Sequence, residues 1–180
     1  MSASIKQMPS TLNYLKPNGF QLNIDTMPNV SYFCQAAAIP NISLSTTFIA
    51  SPLVDFTVPG TNLVYDDLTV KFIVQEDFSN YIELQNWMVG LGFPEERGQY
   101  KALKEARARG TAGSFSSSGD YSDATLTVLD SDLNKSMEIK FFDCYPVALQ
   151  GLEFDISDGN ARYLTAQATF KYTMYKFVTV

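Results

Sequence analysis

The chain has 180 residues, a mass of 20.0 kDa, a formal net charge of −6 and a pI of about 4.6, enough length for one domain with its own core. Its acidity opposes a role that grips nucleic acid by neutralising phosphates; it is compatible with a surface past which DNA slides without sticking, but on charge alone the favoured reading is plain solubility. The absence of histidine removes the commonest general base and metal ligand at neutral pH, and the two cysteines, Cys34 and Cys144, form no zinc or redox spacing.

Residues 1–15 are polar and mixed, and read as a mobile N-terminal arm. They lack the apolar core of a secretory signal, and no apolar run is long enough to span a membrane, so synthesis and assembly in a cytosol are expected. Phe20, Leu22 and Ile24 alternate with polar residues as a half-buried strand. Pro28-Asn29 predicts a turn, and 31–38 a returning strand around Cys34, ended by Pro40. Residues 41–50 and 53–58 are β-rich and flank Ser51-Pro52, with Pro59-Gly60 predicted as a closing turn. The whole stretch from 43 to 65 reads as a long hairpin or extended loop.

Leu68, Val70, Phe72 and Val74 give the cleanest two-residue period in the chain. A helix follows over 80–91, with Asn80 as N-cap and Glu83 completing a capping box. Tyr81, Leu84, Met88 and Leu91 share one face of it, and with Trp87 this stripe is expected to seal the helix onto its own sheet. Gly90, Gly92 and Pro94 end the helix. Residues 95–122 read as a loop or insertion. It holds a short basic helix over 100–109, with Lys101, Lys104, Arg107 and Arg109, and a Gly/Ser-rich loop over 110–119. The basic segment is read as a solvated face beside Glu95, Glu96 and Glu105.

From Thr125 the pattern is β again. Leu126 and Val128 lead into a turn at Asp130-Ser131-Asp132, and Met137, Ile139 and Phe141 form the next strand. Leu152, Phe154 and Ile156 predict another, with a hairpin turn at Asp158-Gly159-Asn160. One long last strand then places Leu164, Ala166, Ala168, Phe170, Tyr172 and Met174 on one face. The sum is a mainly β chain, an antiparallel sandwich or barrel with one flanking helix, forming a single domain over 1–180.

Nothing in the pattern points to a catalytic, cofactor-binding or metal-ligating residue. No phosphate loop or nucleophile elbow is present, and the pairs Asp66-Asp67 and Glu95-Glu96, if extended, point to opposite faces. Both cysteines lie in apolar strand contexts and read as buried free thiols, with a disulfide left open. The stretch 43–65 is different. Phe48, Ile49, Leu53, Val54 and Phe56 make it apolar, and as a free edge it would invite aggregation unless it has a partner. A closed ring of subunits is one physical answer, and cover by another part of the chain is a second.

Five ordered phrases, KPNGFQLNI, FCQAAAIPNISLS, PGTNLVYDDLTVKFIVQED, NYIELQNWM and the closing CYPVALQGLEFDISDGNARYLTAQATFKYTMYKF, span roughly residues 16–177. In that order they resemble the tail-tube proteins of contractile-tailed, T4-like bacteriophages. The resemblance implies a β-sandwich with a flanking helix. It implies hexameric rings whose inner strands close one large barrel, stacked into a tube within a contractile sheath. It also implies that the hairpin from Phe48 to Leu63, Val58 included, lies at a subunit contact. The implied partners are further copies of the chain, the tail sheath protein, and the baseplate initiator and tail terminator proteins, with DNA passing through the lumen unbound. A baseplate tube initiator and the tube subunit of a related injection system carry the same domain and stand as alternatives. A monomeric carbohydrate-binding sandwich is a third, in which Tyr163, Tyr172 and Tyr175 would stack on sugars.

Overall fold

The computed structural model describes residues 14–17, 19–92, 94–95, 97–108, 120–154 and 163–179. Residues 1–13 of the arm predicted over 1–15, the Gly/Ser loop over 110–119, and Ile156 with the turn at 158–160 lie outside the described residues. Among the described residues nine strands and three helices follow in the order β1 (Phe20–Ile24), α1 (Pro28–Tyr32), β2 (Cys34–Ala37), β3 (Ile42–Ile49), β4 (Phe56–Tyr65), β5 (Leu68–Ile73), α2 (Ser79–Gly92), α3 (Gly98–Ala108), β6 (Ser122–Leu129), β7 (Lys135–Leu149), β8 (Thr165–Lys171) and β9 (Met174–Thr179). The expected fold class, mainly β with antiparallel pairing and a flanking helix, is what the chain adopts.

Two elements replace the turn expected at Pro28-Asn29 and the strand expected over 31–38. Proline at the helix start has no N–H to leave unsatisfied, and the segment winds one helical turn. Ser31 fixes that turn, since its hydroxyl donates to Met27 O at 3.0 Å and accepts from Ile24 N at 2.8 Å. The following strand is shortened to Cys34–Ala37.

Seven strands form one sheet in the order β1-β6-β7-β8-β5-β2, with β9 also on β7, and all pairings are antiparallel. β7 is long enough to serve both halves of the sheet. Its first part pairs with β9 and its last part with β8 along the same edge, with Asp143 in the left-handed region between them at φ 56°. The long last strand expected from the pattern is therefore two strands broken at Tyr172-Thr173. They share one register on β7, since Tyr145 faces Lys171 and Phe142 faces Met174. The break reverses the alternation, so Met174 is exposed and does not continue the buried row of Ala166, Ala168 and Phe170. Leu152 and Phe154 lie outside any strand, and the Phe154 ring packs 6.4 Å from Phe78.

The curled sheet wraps one core. Leu22, Ile24, Val70, Phe72, Leu126, Ile139, Phe141 and Phe170 fill it from the strands, and Leu84 and Trp87 from α2. Tyr81 and Met88 pack on its margin, and the Tyr81 hydroxyl donates to Gln150 O at 3.2 Å. The predicted helix stripe is thus the seam between α2 and the sheet. Gly90 lets α3 approach that helix, because a Cβ there would lie 2.9 Å from Leu103 Cβ.

Asn80 does not cap α2, which begins one residue earlier. It is fully buried and tethers the end of β5 instead, donating to Ile73 O at 2.8 Å and accepting from Gln75 N at 3.3 Å. Asn80→Ala removes both bonds from a dry site. It is expected to destabilise the fold by about 2 kcal/mol, read as a lowered midpoint in urea unfolding at unchanged slope; an unmoved midpoint would contradict this role.

Both cysteines are free thiols, Cys144 buried and Cys34 partly so. Burial pushes the Cys34 thiol up to about 11 and the Cys144 thiol up to about 12, so neither is a nucleophile at neutral pH.

Candidate assembly interface

β3 and β4 form a separate two-stranded sheet that projects from the body. Eight to ten residues of strand reach about 25 Å at the usual rise per residue. The connecting residues 50–55 carry the tip, where Ser51 N donates to Asp55 Oδ1 at 3.4 Å. Asp55 is the single charged residue between Ile42 and Tyr65.

Pro59-Gly60 is not the turn the dipeptide suggests. β4 runs straight through it, and the turn lies at the tip. In a two-stranded sheet each strand has an outer edge, so a proline without an N–H can sit in the ladder. The pair marks a bulge, where Leu44 faces Leu63 but Thr46 faces Pro59, leaving Ser45 alone against Gly60, Thr61 and Asn62. Ser45 Oγ accepts from Asn62 N at 3.2 Å, and a Cβ on Gly60 would sit 2.8 Å from Ser45 O. Gly60→Ala is therefore expected to loosen the hairpin alone. Hydrogen exchange in β3 and β4 accelerates while the unfolding midpoint of the body holds; unaltered exchange would contradict the close approach.

The register decides what the hairpin offers. Ile49 faces Phe56, and Val58 faces Thr47 on the same side, whereas Phe48 lies on the other side opposite Thr57. Phe48, Ile49, Leu53, Val54, Phe56 and Leu63 are all exposed, Phe56 at 60% and Leu53 at 94%, and Val58 is half-buried. The pattern alone missed Ile42, Leu44 and Val64, which are exposed on the same hairpin. A strand pair that merely lids its own core buries one face and wets the other. This one is apolar on both faces, with neither face buried on the body. Contiguous exposed apolar surface of this kind marks an interaction site.

The other sequence candidates have local explanations. The Asn41 amide donates to Asp66 Oδ2 at 3.0 Å, and Asp67 pairs with Lys171 at 3.2 Å. Glu95 Oε2 accepts from the Gln99 amide at 3.2 Å. On α3, Lys101 pairs with Glu105 at 3.8 Å, both well exposed, as a solvated face does. Of the three tyrosines suggested for sugar stacking, Tyr163 is exposed, but Tyr172 and Tyr175 are not free platforms. Their rings pack on Phe141 at 5.2 and 5.5 Å. Among the described residues no cluster of three or more metal-ligating side chains occurs, and no helix is long and apolar enough to cross a membrane.

The family described as phage tail tube protein matches residues 3–178. The tail tube terminator protein of Enterobacteria phage T4 is 26% identical over 183 aligned residues, covering 98% of this chain and 94% of that protein. Among solved structures, a chain of the PVC extracellular contractile injection system sheath-tube complex in its extended state superposes with a TM-score of 0.60. Its identity is 12%, and the match covers 99% of this chain and all of that one. A chain of the anti-feeding prophage tube-terminating cap gives 0.59 at 12% identity, covering 99% of each. At that identity the two structures speak for a shared fold.

Proposed function

The chain belongs to the phage tail tube protein family, and we propose that within it the protein forms the ring that terminates the tube. As a member of that family it is a structural component of the virion tail. The observation that carries the finer reading is the likeness to the T4 tail tube terminator, 26% identical across nearly the whole of both chains. In this reading copies of one domain, residues 1–180, close into a hexameric ring that seats on the last ring of the tube.

The β3–β4 hairpin is the contact element. Its two apolar faces and its single charge, Asp55, suit insertion between neighbouring copies, where a charged strand would be stranded without water. The net charge of −6 suits a lumen that DNA traverses without sticking. The sheath protein and the tube subunit are the expected neighbours, and α3 with its Lys101–Glu105 face is available to such a partner.

A second reading, a subunit repeated along the body of the tube, is favoured by the family's own description. Immunogold labelling of tubes freed from their sheath separates the two. Label at one end supports the terminator, label along the whole length supports the repeated subunit, and unlabelled tubes overturn both.

A further inference from the structure

The hairpin does not leave the body freely, and its root carries an aromatic clasp. β3 begins just after Pro40, and β4 ends at Tyr65 just before Asp66. The Tyr175 hydroxyl donates to Pro40 O at 3.3 Å, and the Tyr172 hydroxyl donates to Asp66 O at 2.8 Å. Each phenol thus holds the root of one of the two strands. Between them the Tyr65 ring stacks edge-on against Tyr172 at 6.0 Å and Tyr175 at 5.5 Å. The two tyrosines rest in turn on Phe141, which is fully buried in the core. Asn41 and Asp66 close the base, with Asp66 N donating to Asn41 O at 3.0 Å and the Asn41 amide donating to Asp66 Oδ2.

The backbone is shaped to allow this. In an unbroken strand, residues three apart point to opposite faces. The break at Tyr172-Thr173 brings Tyr172 and Tyr175 to the same side, with rings 6.0 Å apart. Thr173 secures the break from β7, its N–H reaching Phe142 O at 2.9 Å and its hydroxyl donating to Asp143 Oδ2 at 3.2 Å. Burial, with Tyr175 and Asp66 nearby, pushes the Tyr172 phenol well above its ordinary value, so it keeps the proton it donates.

We infer that Tyr172 and Tyr175 are positioning residues for assembly: they fix the direction in which the β3–β4 hairpin leaves the body, so that its tip meets the neighbouring copy. The inference rests on the ring-forming reading above. The lever is long. A tilt of about 10° at the root moves the tip of a hairpin of that reach by about 4 Å. That exceeds the tolerance of a packed apolar contact. If an unclasped hairpin points correctly only about a tenth of the time, the apparent affinity between copies falls about tenfold.

The test uses the double variant Y172F/Y175F, which keeps every ring and removes only the two hydroxyls. Hydrogen exchange is measured on the full chain, together with the protein concentration at which rings appear in sedimentation velocity. The expected result is faster exchange at the Asp66 amide and its neighbours in β4, unchanged exchange in β5 and the first half of β7, and a ring threshold raised about tenfold. Asn41→Ala, which opens the base without touching an aromatic ring, is expected to move both readouts the same way. An unchanged threshold in the double variant, or exchange that accelerates equally throughout the body, overturns the inference. The exchange arm reads the clasp in the monomer. A wild-type chain that forms no rings therefore sinks the ring-forming reading, while exchange at the root still decides whether the clasp exists.

Discussion

Replacing Phe56 with aspartate is expected to abolish ring formation while leaving a folded monomer. Phe56 is 60% exposed and shares a hairpin face with Ile49, so the isolated chain tolerates a charge there. A surface change of this kind costs no more than about 0.5 kcal/mol, which for a domain of this size moves the thermal midpoint by about 2 °C or less. In the assembled ring the same carboxylate would be buried against an apolar neighbour with no counter-charge, at several kcal/mol per contact and repeated around the ring. Sedimentation velocity beside a thermal melt reads both quantities. Rings at the wild-type concentration would contradict the assignment of this hairpin to assembly. Val58→Asp is expected to block assembly too, but Val58 is half-buried already and its monomer loses some stability as well.

Trp87→Ala is expected to do the converse, with the largest loss of stability of any single truncation in α2. The side chain is almost fully buried, its ring 6.3 Å from Phe170 and its indole N–H donating to Asp120 O at 3.3 Å. Deleting a buried tryptophan leaves a cavity and costs about 3–5 kcal/mol. A fall of about 10 °C in the thermal midpoint follows for a chain of this length. Well below that midpoint rings should still form, because Trp87 lies on the body and not on the hairpin. A midpoint within about 3 °C of wild type would show that α2 is not seated as described.

The two expected outcomes separate the body from the hairpin proposed for assembly, and the distinction between a packed body and an exposed apolar hairpin was partly visible in the residue pattern. β5 and the α2 stripe were legible because one side of each is buried, so the alternation of Leu68, Val70 and Phe72, and the spacing of Tyr81, Leu84 and Met88, report a single environment. The hairpin was legible as an apolar stretch with almost no charge. That both of its faces are exposed depends on the register of Ile49 on Phe56, which lies in no local signal. Pro59-Gly60 misled for the same reason. The dipeptide rule sees the chain but not the partner strand, and a bulge opposite Ser45 uses the same residues as a turn. Asn80 carried the composition of a cap, yet its amide is committed to β5 through a contact that only the folded chain makes. Tyr172 had the period of one continuous strand with Phe170 and Met174, which would put Tyr175 on the opposite face, and the break that turns both tyrosines toward Tyr65 follows from the pairing of β8 and β9 along β7.

A free apolar hairpin is a hazard to a soluble monomer. Here it is braced at its root by two phenols and in its middle by the Ser45–Asn62 bulge, while its tip bears Leu53 at 94% exposure. Bracing at the root would favour docking in one geometry, since an ordered element loses less freedom on binding than a floppy one.

The most direct test of the ring-forming account is negative-stain electron microscopy of the purified wild-type chain over a concentration series, with circular dichroism confirming the β fold at each point. The account predicts closed rings of uniform diameter with a central hole, rising in number with concentration. Folded particles of monomer size at the highest concentration, with no rings, would contradict it.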